Sequence, residues 1–163
     1  MKRFMTLLAA LLLCLTLNLP ALAESKPLTM EGSFVRAFGY SVEEWMATEA
    51  SRATFVTLAM LDVSFSGDEQ AGDVAIEALQ EGVVYVGSNA DSVACYLFGK
   101  TACLTLAYAP ATGSTAALIP MGDMDAATMM AALQAEKQYT TCGEVPVETV
   151  LMMMQLIVDM LVQ

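Results

Sequence analysis

Four short runs of β-branched and aromatic residues between residues 83 and 121 constrain the fold of this chain most strongly. The segments between the runs are short and rich in glycine, serine, asparagine and proline, which is typical of strands joined by tight turns. The predicted strands are Val83–Val86, Ser92–Phe98, Ala102–Ala109 and Thr115–Pro120. Because none of the connections is long enough for a crossover helix, the sequence predicts a four-stranded antiparallel meander.

Helical patterns precede this strand block. Capping-box spacings at Ser41–Glu44 and Ser66–Glu69 each predict the start of a helix, since a serine hydroxyl and a glutamate three residues later can satisfy each other's free backbone amides. The second helix should end near Glu81, where Gly82 provides a stop. Residues 54–65 are richer in β-branched and aromatic residues, so the end of the first helix is not fixed by the pattern.

Helical patterns also follow the strand block. Asp123 or Asp125 can cap a helix that runs to about Tyr139, and residues 142–143 end that segment. Pro146 then suits the first position of a last helix that continues to the end of the chain. Helices, then strands, then helices predict an α+β domain in which the N-terminal and C-terminal helices pack on the sheet.

The first residues have the pattern of an export signal. Lys2 and Arg3 give a positive start, Phe4–Leu17 is an uncharged apolar run, and Ala21–Ala23 has the small-x-small pattern that signal peptidase recognises. The apolar run is too short to span a bilayer. The sequence therefore predicts that residues 1–23 are a cleaved signal peptide and that the protein is secreted, to the periplasm or the extracellular medium.

Residues 24–163 have the length of a single domain, and we find no second domain boundary. They keep all 18 acidic residues of the chain and five of its seven basic residues, so the predicted mature net charge is −13 rather than −11. This acidity disfavours nucleic acids and anionic membrane surfaces as partners. The length, the signal and the lack of catalytic motifs resemble those of small exported bacterial proteins.

The composition also bounds the chemistry. The chain contains no histidine, which excludes Ser-His-Asp and Cys-His catalysis and imidazole metal sites. We therefore favour a non-catalytic binding or interaction protein without a cofactor, whose ligand is a protein or a small molecule. The alternative is a carboxylate-dependent enzyme, for which the candidate residues are Asp68, Glu69, Asp73, Asp123 and Asp125.

Methionine is unusually frequent, with 13 residues in the chain. A second alternative function is soft-metal handling, because thioethers suit Cu(I). The candidate ligands are Met121, Met124, Met129 and Met130. We favour the simpler interpretation that the flexible methionine side chains fill an apolar core.

Three cysteines follow the predicted signal peptide: Cys95, Cys103 and Cys142. A two-residue Gly99-Lys100 loop between the second and third strands would place Cys95 and Cys103 on opposite faces of the sheet. A three-residue loop that begins at Phe98 would place them directly opposite each other, where a disulfide could form. We favour buried free thiols, and the pairing stays open at this point.

The last predicted helix has four polar residues, and Glu148, Gln155 and Asp159, with Gln163, form one narrow polar stripe on it. A helix of this kind needs burial nearly all round. We expect it to be buried within the domain, across the sheet face, with self-association or a partner groove as the alternative. Its length and its interior aspartate make it a poor membrane span.

Overall fold

The computed structural model describes residues 42–66, 69–109 and 111–162. The predicted signal peptide and the capping serine at position 41 lie outside these residues. The described chain is an antiparallel sheet with helices, so the predicted α+β class is confirmed. Its elements, in chain order, are α1 Val42–Trp45, α2 Glu49–Ser66, α3 Glu69–Glu81, β1 Val84–Asn89, β2 Ser92–Phe98, β3 Ala102–Ala109, β4 Gly113–Pro120, α4 Ala126–Lys137, β5 Thr141–Glu144 and α5 Val147–Val162.

The sheet has five strands in the order β4-β3-β2-β1-β5, and each neighbouring pair is antiparallel. The predicted meander from β1 to β4 is present, and β2 and β3 have the predicted bounds. Residues 87–89 form the end of β1 rather than a turn, and the chain reverses at residues 90–91. The Asn89 side-chain oxygen closes this reversal by accepting hydrogen bonds from the Asp91 amide and the Ser92 hydroxyl.

The prediction of four strands is wrong because β5 was missed. Its residues include Cys142 and Gly143, which we interpreted as the end of a helical segment. Residues 141–144 pair with Tyr85–Ser88 at the free edge of β1. The strand therefore depends on pairing with a segment more than 50 residues away in sequence, and local propensity gives little sign of it.

The helices on the N-terminal side differ from the prediction in one respect. Residues 54–65, which are rich in β-branched and aromatic side chains, continue α2 to Ser66. Tertiary burial overrides the weak local preference here, because Phe55 and Val56 are completely buried. The Phe55 ring also contacts Trp45 of α1 in an edge-to-face arrangement, with centroids 6.4 Å apart.

Helix α3 ends as predicted. Gly82 has a φ of 85°, which is the left-handed conformation that glycine adopts readily, and its amide donates to the Ala78 carbonyl. The Val83 amide donates to the same carbonyl. This double capping directs the chain straight into β1.

Both faces of the sheet are covered. The face that we call the helical face packs on α1, α2 and α3, with α5 packed against α2, and the opposite face, which we call the α4 face, packs on α4. Alternate side chains of the strands point to one face or the other. On the helical face the central strand β2 contributes Val93, Cys95 and Leu97, and on the α4 face it contributes Ala94, Tyr96 and Phe98.

The hairpin between β2 and β3 has a register that neither predicted loop gives. Phe98 pairs with Cys103, and the Gly99 amide donates to the Ala102 carbonyl, so the loop is Lys100-Thr101. A carboxylate oxygen of Glu77 explains the position of the glycine. It accepts from the Lys100 amide at 3.0 Å and would lie 2.7 Å from a Cβ added at Gly99.

This register places the cysteines on opposite faces, as the predicted two-residue loop would. Cys95 lies opposite Leu106 on the helical face, whereas Cys103 lies on the α4 face. Two side chains on opposite faces of one sheet cannot form a disulfide. Both thiols are free and completely buried, and Cys142 is free and partly buried.

The α4 face is closed by Tyr139, which follows α4. Its hydroxyl forms a 2.5 Å hydrogen bond with the Tyr96 hydroxyl, and the two rings meet edge to face. The Tyr139 ring lies directly on the backbone of Gly87, where a Cβ would overlap three of its ring atoms. A glycine in the middle of β1 is therefore required by the close approach of this ring.

Replacing Gly87 by alanine should lower the free energy of unfolding by about 2 kcal/mol, because the added methyl group displaces the Tyr139 ring. Gly72→Ala is the matched control. Gly72 lies within α3 with open space around it, so alanine should raise stability by roughly 0.5–1 kcal/mol. Urea unfolding of the two variants measures the difference, and equal effects would show that the ring does not pack on Gly87.

Candidate functional site

Of the carboxylates that the sequence analysis singled out, Asp73 lies on α3, and Asp123 and Asp125 precede α4. Asp125 is the N-cap of α4, and its side chain accepts a 2.7 Å hydrogen bond from the Thr128 amide. This hydrogen bond lowers the pKa of Asp125, so the group has a structural task. Asp73 and Asp123 are exposed, Asp68 lies outside the described residues, and the side chain of Glu69 is not described.

Within the described ranges, no group of three or more acidic or cysteine residues is arranged to hold a metal ion. Of the candidates, Asp73 and Asp123 are exposed and Asp125 is engaged in capping α4. This arrangement gives no support to the carboxylate-dependent enzyme.

The candidate methionines divide into two groups. Met121, Met129 and Met130 are buried in the cluster on the α4 face, together with Cys103, whereas Met124 is 48% exposed. The neighbours of the three buried residues are chiefly aromatic and aliphatic side chains of the sheet. Their packing is that expected of flexible side chains filling the space between a helix and a sheet.

The three cysteines are poor nucleophiles in this environment. Burial raises the pKa of the Cys95 thiol far above its ordinary value and that of Cys103 to about 12. Burial also raises the pKa of Cys142, although the positive charge of Arg52 acts in the opposite direction. All three groups are therefore protonated thiols at neutral pH, and only the thiolate is reactive.

Arg52 is a half-buried cation that the sequence analysis did not single out. Its guanidinium packs on the backbone of β5, with Nη1 3.1 Å from the position that a Cβ would take at Gly143. Its buried Nε has no hydrogen-bond partner in the described part of the chain. The sequence gives no direct signal of this contact, because the contact depends on β5, the strand that was missed.

Helix α5 packs on α2 through one side only. Val150 and Met154 are buried there, and the Thr149 hydroxyl donates to Glu49 of α2 at 2.8 Å. The Thr57 hydroxyl of α2 lies 3.5 Å from the Val150 carbonyl. The expectation that α5 is buried nearly all round within the domain is therefore wrong, because α2 lies on its inner side and the opposite side faces solvent.

The solvent-facing side of α5 carries a row of large apolar side chains. Met152, Leu156 and Met160 follow one another at intervals of four residues and are 53%, 49% and 69% exposed. We call this row the α5 stripe. Residues four apart on a helix lie on the same side, so the three side chains form a continuous apolar strip. Their spacing in the sequence is visible, but the side of α5 that α2 leaves uncovered is set by the tertiary fold.

The predicted polar residues Glu148, Gln155 and Asp159 are exposed on the same side of the helix and border the α5 stripe. The Gln155 amide donates to the Asp159 carboxylate at 2.7 Å, one turn further along. The α5 stripe is thus an apolar strip with an acidic border.

Two further findings bear on what this surface can do. Across the described residues, no helix combines the length and the apolar character that crossing a membrane requires. Comparison with protein-family models, curated proteins and solved structures finds no match to this chain. The exposed apolar row of the α5 stripe is therefore the feature from which a function can be inferred.

The reactivity of the thiols tests the described packing. In the folded protein, a thiol reagent such as dithionitrobenzoate should modify Cys142 much faster than the fully buried Cys95 and Cys103, and Cys142→Ser should abolish that phase. Because the pKa of Cys142 is raised, its rate should keep increasing at a pH where an ordinary thiol has levelled off. Treatment with a reductant beforehand should leave the number of thiols unchanged, and an increase would reveal a disulfide.

Proposed function

We propose that this protein is an exported, non-catalytic interaction protein that binds a partner through the α5 stripe. The observation that carries the proposal is the exposure of Met152, Leu156 and Met160 in one row on a helix whose other side is anchored to α2. Contiguous exposed apolar side chains are unfavourable in water and commonly mark a binding surface. The helix-in-groove mode of recognition uses anchors at this spacing.

The border of the stripe indicates the chemistry of the partner. Glu148 and Asp159 flank the apolar row, and no lysine or arginine follows Lys137 in the sequence. A partner with an apolar groove and a basic rim would therefore complement α5 in both shape and charge. A second copy of this chain would bring the same acidic border to the interface, so a basic partner is favoured over self-association through α5.

The proposal of export rests on the predicted signal peptide, and that of a non-catalytic role on the tasks of the candidate groups. Asp125 caps a helix, and the thiols of Cys95 and Cys103 are buried and protonated. A small-molecule ligand is less well supported than a protein, because the exposed apolar atoms form a strip along a convex helix, whereas small ligands bind in concave sites.

Binding of a synthetic amphipathic helix made of leucine and lysine, followed by fluorescence anisotropy, tests the proposal. The purified protein should bind this peptide more tightly than an oligolysine of equal charge, which lacks the apolar side. Leu156→Ser should weaken the binding of the amphipathic peptide about tenfold, since a buried leucine contributes roughly 1.5–3 kcal/mol.

Met124→Ser is the matched control, because Met124 is 48% exposed but lies outside α5, and it should leave the affinity unchanged. Equal binding by the Leu156→Ser and wild-type proteins would contradict a role for the stripe. Equal affinity for the amphipathic peptide and the oligolysine would show that charge alone is recognised.

A further inference from the structure

A second exposed surface lies at the edge of the sheet formed by β4, and it does not involve α5. Among the described residues, strand β4 is an edge strand that pairs only with β3, and the pairing runs without a bulge from Ala102↔Pro120 to Ala109↔Gly113. No strand of the described residues lies on its outer side. Within the described ranges, the outward-pointing amides and carbonyls of β4 therefore have no strand partner, and such groups can pair with another strand.

The usual devices that protect an edge strand are missing from β4. Natural edges are commonly blocked by a charged side chain, an internal proline or a bulge. Strand β4 has none of these before its last residue, Pro120. Residues 114–117 are small and exposed, with the sequence Ser-Thr-Ala-Ala, so no bulky side chain obstructs the approach of a second strand.

The charge distribution indicates which strand fits. Residues 101–122, which comprise β3, β4 and their flanks, contain no charged residue, and we call this segment the neutral hairpin. All 18 acidic residues lie elsewhere in a chain of net charge −11. Two copies of so acidic a protein repel each other over most of their surface, and the repulsion is weakest where their neutral hairpins meet.

We propose that β4 pairs with β4 of a second copy in an antiparallel arrangement, which joins the two sheets into one continuous sheet of ten strands. A two-fold axis between the strands makes the contact self-complementary, since each copy offers the same donors and acceptors. Main-chain hydrogen bonds provide the affinity in this mode, and the small side chains allow the close approach. The basic partner proposed for α5 has no charge to pair with on this edge.

Sedimentation equilibrium of the purified protein, the Ser114→Lys/Ala116→Lys variant and a control variant tests the pairing. Lysines at 114 and 116 lie on one side of β4, and the four lysines of two paired copies come close together, which is unfavourable between neighbouring strands. The wild-type protein should form a dimer, and the variant should raise the dimer dissociation constant at least about tenfold.

The control variant carries Ala131→Lys and Ala132→Lys on the exposed side of α4. It has the same change in net charge, which reduces the overall repulsion between copies, so it should dimerise at least as well as the wild type. If β4 is the interface, the dimer dissociation constant should rise in the β4 variant and should stay the same or fall in the α4 control. Circular dichroism confirms that each variant is folded, and Thr115→Lys/Ala117→Lys repeats the test from the other side of the strand.

Three results would overturn the proposal. The wild-type protein could remain a monomer at roughly 100 μM, a concentration at which a dimer with a micromolar dissociation constant is largely formed. The β4 variants could dimerise as well as the α4 control, which would place the interface elsewhere. A dimer lost through Leu156→Ser but kept in the β4 variants would assign self-association to the α5 stripe.

Discussion

The burial of β2 on both of its faces is the constraint on which the rest of the structure depends. Each of its residues from Val93 to Phe98 is at most 2% exposed. A strand of this kind needs a layer of side chains on each side, and it reads in the sequence as a nearly continuous apolar run. The helices α1, α2 and α3 supply the layer on the helical face, and α4 with Tyr139 supplies the other.

Residues become more exposed with distance from β2, and this determines where binding surfaces can lie. Strand β4 at one edge has exposed residues on both sides of its middle section, and α5 lies behind α2 with its outer side in solvent. The Tyr139 ring on Gly87 and the hydrogen bond to Tyr96 hold the α4 layer in place. The molecule therefore combines a doubly covered centre with two exposed surfaces of different character, one neutral and one apolar with an acidic border.

Much of this fold could be predicted from local patterns. The bounds of β2 and β3, the end of α3 at Gly82 and the cap at Asp125 all follow from residues that are close in sequence. The same holds for the start of α5 after Pro146.

What the sequence could not predict depends on contacts between distant residues. Strand β5 exists because β1 offers a free edge, α2 continues through its β-branched and aromatic residues because Phe55 and Val56 are buried, and Glu77 of α3 fixes the turn after β2. The α5 stripe likewise combines features that local sequence shows with features that only the tertiary fold determines. The polar residues of α5 could be recognised from their spacing, but the exposure of Met152 and Met160 beside them follows from the docking of α5 on α2.

Native-state hydrogen exchange tests most directly the claim that the doubly covered β2 organises the molecule. The amides of residues 93–98 should exchange only through global unfolding, with an opening free energy equal to that measured by urea unfolding and the highest in the described chain. Amides in the last turn of α5 should exchange through local opening at a much lower free energy. If the β2 amides exchanged through local openings that cost less than those of β1 and β3, β2 would not be the core on which the other elements depend.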